Sequence, residues 1–296
     1  MNLLAITKMA ASLFLMFALM ACPGRAPLSS SPPRENEPDE QGKVHTLDEK
    51  DLGEALEKDE DIDTKETARA KESIDTGDSP APIDFDALRR EMVETQLSPR
   101  GVDDERVLSA MQDVPRHKFV PERYRALAYA DHPLPIGEGQ TISQPLIVAL
   151  MSQLARVEPD DKILEIGTGS GYHAAVLANL GAEVYTIEIV ETLGRGARLT
   201  LASLGYENVH VKIGDGYEGW PEHAPFEAIV ITAAPPTIPE PLLEQLAVGG
   251  RMVLPVGEHD QELKVISRTE SGLQSERHGA VRFVPMTGKA QEQSAR

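Results

Sequence analysis

Cysteine is nearly missing from this chain of 296 residues. The only one is Cys22, so no internal disulfide can form, and no Cys/His cluster has the spacing of a metal site. A metal is therefore not expected, and the chain beyond Cys22 has no thiol to work with. Aromatic residues are scarce at 4%, and basic residues are outnumbered: 29 Lys and Arg against 48 Asp and Glu, a formal net charge of −19. A chain this acidic repels phosphate backbones, and no basic patch carries interleaved aromatics, so nucleic acid is not expected as a partner. Long apolar runs are also missing, apart from one near the N-terminus.

That run is Met9 to Met20 (MAASLFLMFALM). It follows Lys8, has the length of a signal-peptide core, and is short for a bilayer span. It ends in Leu19-Met20-Ala21-Cys22, which resembles the lipobox of bacterial lipoproteins; the resemblance implies cleavage before Cys22 and lipidation of that residue. Pro23 to Pro80 then carries 17 acidic and 8 basic residues. It is rich in Pro, Ser, Asp and Glu and cannot bury enough apolar surface to offset its ordering entropy. Like charges extend such a spacer. The expected organisation is a signal peptide over 1–22, an acidic linker over 23–83 and a folded domain over 84–296. The expected location is the cell envelope, with membrane contact only through the leader or a lipid. The alternative is the cytoplasm, should translation start near Met92.

Past Asp84 the pattern becomes that of a folded domain. Helical spacing covers Asp84 to Gln96, Asp103 to Met111 and Pro145 to Leu154. Strand candidates are 162–166, 183–188, 209–213, 228–232, 252–256, 263–267 and 280–284, with helices expected between the first five. Such alternation predicts an α/β fold: a doubly wound, mostly parallel, Rossmann-like sheet. It has an N-terminal helical extension, and antiparallel strands at its C-terminal end. No internal repeat is visible.

The most informative stretch is Ile163 to Tyr172, where a strand meets Gly167-Thr168-Gly169-Ser170-Gly171 and then a helix. Glycine admits positive φ and lets backbone approach a ligand closely. In open α/β sheets, ligands bind at the carboxyl ends of strands. A glycine-rich turn alone leaves NAD, another nucleotide or a plain tight loop open. Glu188 ends the next strand, 17 residues after Gly171, near the usual offset of a ribose-binding carboxylate. Gly214-Asp215-Gly216 follows the third strand, where an Asp can accept from an adenine amine or simply serve a turn. The GxGxG spacing lacks the last glycine of the pyrophosphate pattern, which favours a nucleoside without phosphate.

From about Met92 to Gly288 the chain resembles the protein-L-isoaspartate O-methyltransferase family. Ile163 to Tyr172, Phe226 to Pro235 (FEAIVITAAP) and Leu242 to Gly257 look like general methyltransferase motifs. The specific segments are Val114 to Pro121 (VPRHKFVP), Tyr129 to Ala149 (YADHPLPIGEGQTISQPLIVA) and Arg282 to Gly288. The resemblance implies S-adenosylmethionine as methyl donor, S-adenosylhomocysteine as product, and isoaspartate-containing proteins and peptides as partners of a monomeric enzyme. It implies Ser143 as the active-site residue, with Thr141, Ile142, Gln144 and Val120 toward the peptide. Glu165, Gly167, Thr168, Gly169, Ser170, Gly171, Glu188, Asp215 and Gly216 would form the cofactor site. The alternative activity is methylation of another small carboxylate or alcohol.

A sulfonium is already electrophilic and a carboxylate already nucleophilic, so no deprotonating base is expected. The site would work by alignment, with Ser143 orienting the acceptor by one hydrogen bond. The bland alternative is that Ser143 caps the helix starting near Pro145. The ester formed would then be attacked by the neighbouring backbone amide, giving a succinimide without help from the enzyme.

Overall fold

The computed structural model describes residues 82–294; the leader, Cys22 and most of the acidic linker lie outside the described residues. Helix α1 (Phe85–Glu91) starts because the Asp84 carboxylate accepts from the amides of Asp86 and Ala87. The sequence predicts one α-helix through Gln96. Instead, residues Met92–Leu97 widen into π-type turns, which bury Met92, Val93 and Leu97 together. Helix α2 (Glu105–Asp113) is capped by Asp104 and buries Val107, Ala110 and Met111.

Next comes a hairpin that the periodicity did not reveal: β1 (Leu134–Gly137) against β2 (Gln140–Ile142). Its turn is made by Glu138 and Gly139, both at positive φ. Helix α3 (Pro145–Ala155) follows, with proline in its first turn.

The remaining elements build a sheet of seven strands. They are β3 (Lys162–Ile166), α4 (Tyr172–Asn179), β4 (Glu183–Glu188), α5 (Glu191–Ser203), β5 (Val209–Ile213), β6 (Phe226–Ile231), α6 (Glu240–Glu244), β7 (Leu246–Val256), β8 (Gln261–Thr269), β9 (Gly272–Val281) and α7 (Lys289–Ser294). The order is β5-β4-β3-β6-β7-β8-β9. Strands β3 to β7 run parallel; β8 and β9 pair antiparallel. Period-2 alternation splits the core between the two sheet faces. Ile163, Ala228, Val230 and Val253 pack on one face with α2, α3 and α4, and Leu164, Ile166, Ile229 and Met252 on the other.

Two expectations need correction. No α-helix joins β5 to β6. Two short 3₁₀ turns, Gly216–Glu218 and Pro221–His223, take its place. Beside them Tyr185 of β4 stacks on His223 at 4.2 Å and meets Trp220 edge-on at 5.5 Å. Aromatic area there substitutes for a helix. The last strand is also not 280–284: β9 ends at Val281, and the chain beyond leaves the sheet edge. Val284 and Met286 exchange backbone hydrogen bonds with Ala234 at 2.8 Å each, which carries residues 284–287 across the carboxyl end of β6.

Candidate active site

Strand β3 is the switch point of the sheet: the chain leaves it for β4 and β5 on one side and returns to β6 on the other. A crevice opens at such a point outside the carboxyl ends of the strands. Here Ile166, Gly167, Glu188, Ile189, Gly216, Thr232 and residues 284–287 line a cleft open to solvent. Gly167 has φ +98, and a methyl group on it would meet the Thr232 hydroxyl. That hydroxyl donates to the Gly167 carbonyl at 2.6 Å, so backbone and side chain close the turn together. At Gly216 a Cβ would lie 2.5 Å from Ile166, a wall of the same cleft.

The donors and acceptors of this cleft fit a nucleoside. Glu188 accepts from the Gly169 amide at 2.7 Å and the Val190 amide at 2.9 Å, one bond per oxygen. Each oxygen keeps a lone pair for a hydroxyl. No lysine or arginine lines the cleft among the described residues, as suits a ligand without phosphate.

A second groove, lined by Pro133, Ser143, Gln144, Ile147, Arg282 and Phe283, lies beside the first. A narrow passage lined by Ile142, Ser143, Thr168, Ser170, Tyr172 and His173 lies next to both. Thr141 and Thr232 line all three spaces, so the cleft and the groove meet at these two hydroxyls. The β1–β2 hairpin delivers Thr141 and Ile142, and Ser143 follows directly. The capping reading of Ser143 does not hold: the residue before α3 is Gln144, and no side chain caps that helix. The Ser143 carbonyl is held by Arg116 Nη2 at 2.8 Å.

Several expected site residues stand elsewhere. Glu165 is wholly buried beneath the turn and does not line the cleft. Thr186 donates to it at 2.5 Å and is itself 2.6 Å from the Thr168 hydroxyl. Burial pushes the Glu165 carboxyl up to about 8 even though the Thr186 bond opposes the shift. The Asp215 carboxylate accepts from the Tyr217 amide at 2.9 Å and the Lys289 amide at 2.8 Å. It thus caps a 3₁₀ turn and ties down the start of α7, and it is not among the residues lining the cleft. Gly171 starts α4, and a Cβ there would press on Leu201 at 3.1 Å. Val120 is buried beside a separate groove formed with Gly169, Ser170 and α5, not beside Ser143.

Sequence reasoning gave no site role to Thr232, His173 or residues 284–287, although Thr232 lay in the Phe226–Pro235 motif and 284–287 in the Arg282–Gly288 segment. Thr232 stood at the end of an expected strand, where ligand contacts concentrate, and that was its available signal. His173 lines the passage with Nε2 3.1 Å from the Ser152 hydroxyl. Burial takes its pKa down to about 3, so the ring is neutral at physiological pH. Of residues 284–287 only Val284 fell in an expected strand, and nothing local in Pro285-Met286-Thr287 says that the chain crosses back over β6.

Residues 88–291 match the family model described as Protein-L-isoaspartate(D-aspartate) O-methyltransferase. The chain is 60% identical over 198 residues to the protein-L-isoaspartate O-methyltransferase of Gloeobacter violaceus, covering 66% of this chain and 97% of that protein. It is 57% identical over 202 residues to the enzyme of that name from a Picosynechococcus species, covering 68% and 91%. Among solved structures it is similar to a protein-L-isoaspartate O-methyltransferase at TM-score 0.62 and 29% identity, covering 68% of this chain and 67% of that one. It is also similar to a Plasmodium falciparum structure described as a putative protein-L-isoaspartate O-methyltransferase in complex with S-adenosyl-L-homocysteine. There the TM-score is 0.60 and the identity 26%, covering 67% and 98%.

Proposed function

The chain belongs to the protein-L-isoaspartate(D-aspartate) O-methyltransferase family, and from that premise we propose how its cleft and groove share the reaction. The enzyme methylates the free carboxylate of L-isoaspartyl residues in damaged proteins, with S-adenosylmethionine as donor. The observation that carries the assignment of parts is the meeting of cleft and groove at Thr141 and Thr232. The donor belongs in the cleft, where Glu188 would accept from ribose hydroxyls and the Gly167 turn would admit the amino-acid end. It supplies a methyl group on a sulfonium, ready for displacement. The acceptor peptide belongs in the groove beside Ser143 and Gln144.

The protein's part is alignment rather than proton removal. A carboxylate is ionised at neutral pH, and the nearest histidine, His173, is held neutral by burial. Ser143 donates one hydrogen bond that orients the acceptor carboxylate, and a neutral hydroxyl leaves the attacking lone pair available. The passage is narrow, and its hydroxyls at Thr141, Ser143, Thr168 and Thr232 can fix the reacting groups in place. Succinimide formation then follows from the chemistry of the methyl ester and needs no further residue.

Two peptides that differ only in Asp against isoAsp test the acceptor. Methylation of the isoAsp form alone is expected, and equal methylation of both would favour another carboxylate substrate. Ser143→Ala should lower kcat on the order of 10- to 100-fold while the urea midpoint stays close to wild type. Normal turnover with reduced stability would remove Ser143 from the mechanism.

Location at the cell envelope is proposed alongside, supported by the order of Lys8, the Met9–Met20 run, the lipobox-like Leu19–Cys22 and the acidic spacer. Fractionation beside a Cys22→Ser variant tests it. A lipidated Cys22 in the membrane fraction, lost in the variant, is expected. A soluble product starting near Met92 would refute it.

A further inference from the structure

Arg116 is expensive to bury, and the reaction described so far gives it nothing to do. Its side chain is wholly buried in the turn Arg116–Lys118. Nε donates to the Ala128 carbonyl at 2.7 Å and Nη2 to the Ser143 carbonyl at 2.8 Å. The guanidinium lies over the Tyr172 ring, 4.7 Å from its centre, and Nη1 has no hydrogen-bond partner. None of the ion pairs among the described residues includes Arg116. Two carbonyls, the Tyr172 ring and the more distant Asp131 carboxylate offset part of the cost of burying this cation, and with no carboxylate in direct contact it keeps an attraction for an anion brought nearby. Burial lowers its pKa only to about 10, so the charge persists at neutral pH. The two residues it holds and covers, Ser143 and Tyr172, both line the passage. The charge therefore lies one side chain behind the wall that the acceptor must approach.

We propose that Arg116 is a positioning and specificity residue, which fixes Ser143 through its carbonyl and selects substrates bearing a free carboxylate over neutral carboxamides. This rests on the acceptor assignment above. Inside a protein a cation acts on an anion over several ångströms without touching it. Direct pairing of arginine with a carboxylate would occupy the oxygen lone pairs and blunt the nucleophile. A guanidinium one layer back favours the anion and leaves its lone pairs free. Tyr172 and the Ser143 backbone serve as the spacer.

The test uses the full chain, loaded with S-adenosylhomocysteine, as wild type, Arg116→Lys and Arg116→Met. Fluorescence anisotropy gives affinities for one labelled peptide in two forms: isoaspartyl with a free α-carboxylate, and the same peptide as α-carboxamide. Wild type and Arg116→Lys should prefer the carboxylate form by roughly tenfold or more. Arg116→Met should lose most of that preference while its affinity for S-adenosylhomocysteine stays within about twofold. Both variants should lower kcat, because Ser143 loses its brace. A folded Arg116→Met enzyme that keeps the full preference overturns the proposal.

If Arg116→Met does not fold, wild type measured from about 20 to 500 mM salt decides. A buried charge is little screened, so the preference should persist. Its collapse would assign it to exposed Arg282 at the groove and overturn the proposal. Wild type that methylates the isoAsp form but shows no preference overturns Arg116 alone. Wild type that methylates Asp and isoAsp peptides equally overturns the acceptor assignment, and this proposal with it.

Discussion

At the scale of single residues, the site depends on positions where no side chain, or only one kind, will fit. Gly167 combines φ +98 with close approach to the Thr232 hydroxyl, so Gly167→Ala suffers both backbone strain and a clash. It should cost about 1–3 kcal/mol of stability and weaken S-adenosylhomocysteine binding roughly tenfold by calorimetry, which at 1.4 kcal/mol per decade is a similar energy. Unchanged affinity would mean that the turn does not touch the ligand. Glu188 was legible in the sequence because it combined a charge, a strand end and a known offset from the glycines. Arg116 carries no such mark. Its neighbours Ala128, Ser143 and Tyr172 lie 12, 27 and 56 positions away, and a pattern of short period cannot report them.

Elements show the same division. Strands β3 and β6 were readable as short, mostly apolar runs buried on both faces, and the edge strand β5 by Val209, Val211 and Ile213 alternating with His210 and Lys212. The β1–β2 hairpin was not. It is two short strands around a Gly-Glu-Gly turn, yet it places Thr141 and Ile142. The helical entry is another case: Phe85 stacks on His117 at 4.0 Å, and Leu88 packs against the core. A chain starting at Met92 would lose both contacts. It should be less stable than the full chain by about 2–4 kcal/mol, from the apolar burial of two such side chains, as read by urea denaturation of the two. Equal stability would show that α1 contributes nothing and would make a start at Met92 more credible.

Over the whole molecule, two buried groups should shape stability against pH. His173 is held neutral, with its pKa taken from 6.5 down to about 3. The unfolded chain takes up that proton first as pH falls, so its contribution is full above about pH 6.5 and is lost on the way down to 3. Glu165 is held protonated, from 4.5 up to about 8. The unfolded chain releases that proton first as pH rises, so its contribution is full below about 4.5 and is lost on the way up to 8. Between about pH 4.5 and 6.5 the two slopes oppose each other and cancel, so together they give a plateau over that range, with a decline below it from His173 and above it from Glu165. Glu165→Gln should flatten the decline between pH 6.5 and 8 in urea titrations, expose the His173 decline between 6.5 and 4.5, and leave the slope below about 4.5 unchanged. A variant with the wild-type alkaline slope would assign that limb to other groups.

What the sequence determined by itself was local or periodic in origin. Alternating apolar runs specified a parallel α/β sheet, and the turn at Gly167 to Gly171 marked its ligand end. Segments such as Tyr129 to Ala149 pointed to the reaction through family resemblance. Tertiary structure decided what depends on residues far apart in the chain. It set the order β5-β4-β3-β6-β7, with β3 at the switch point, and brought residues 284–287 off the sheet edge to wall the cleft. It turned Asp215 toward the amides of Tyr217 and Lys289, and put a cation behind Ser143. Such placements follow from which buried surfaces and hydrogen bonds can be satisfied together, and only the folded chain brings those groups within reach of one another.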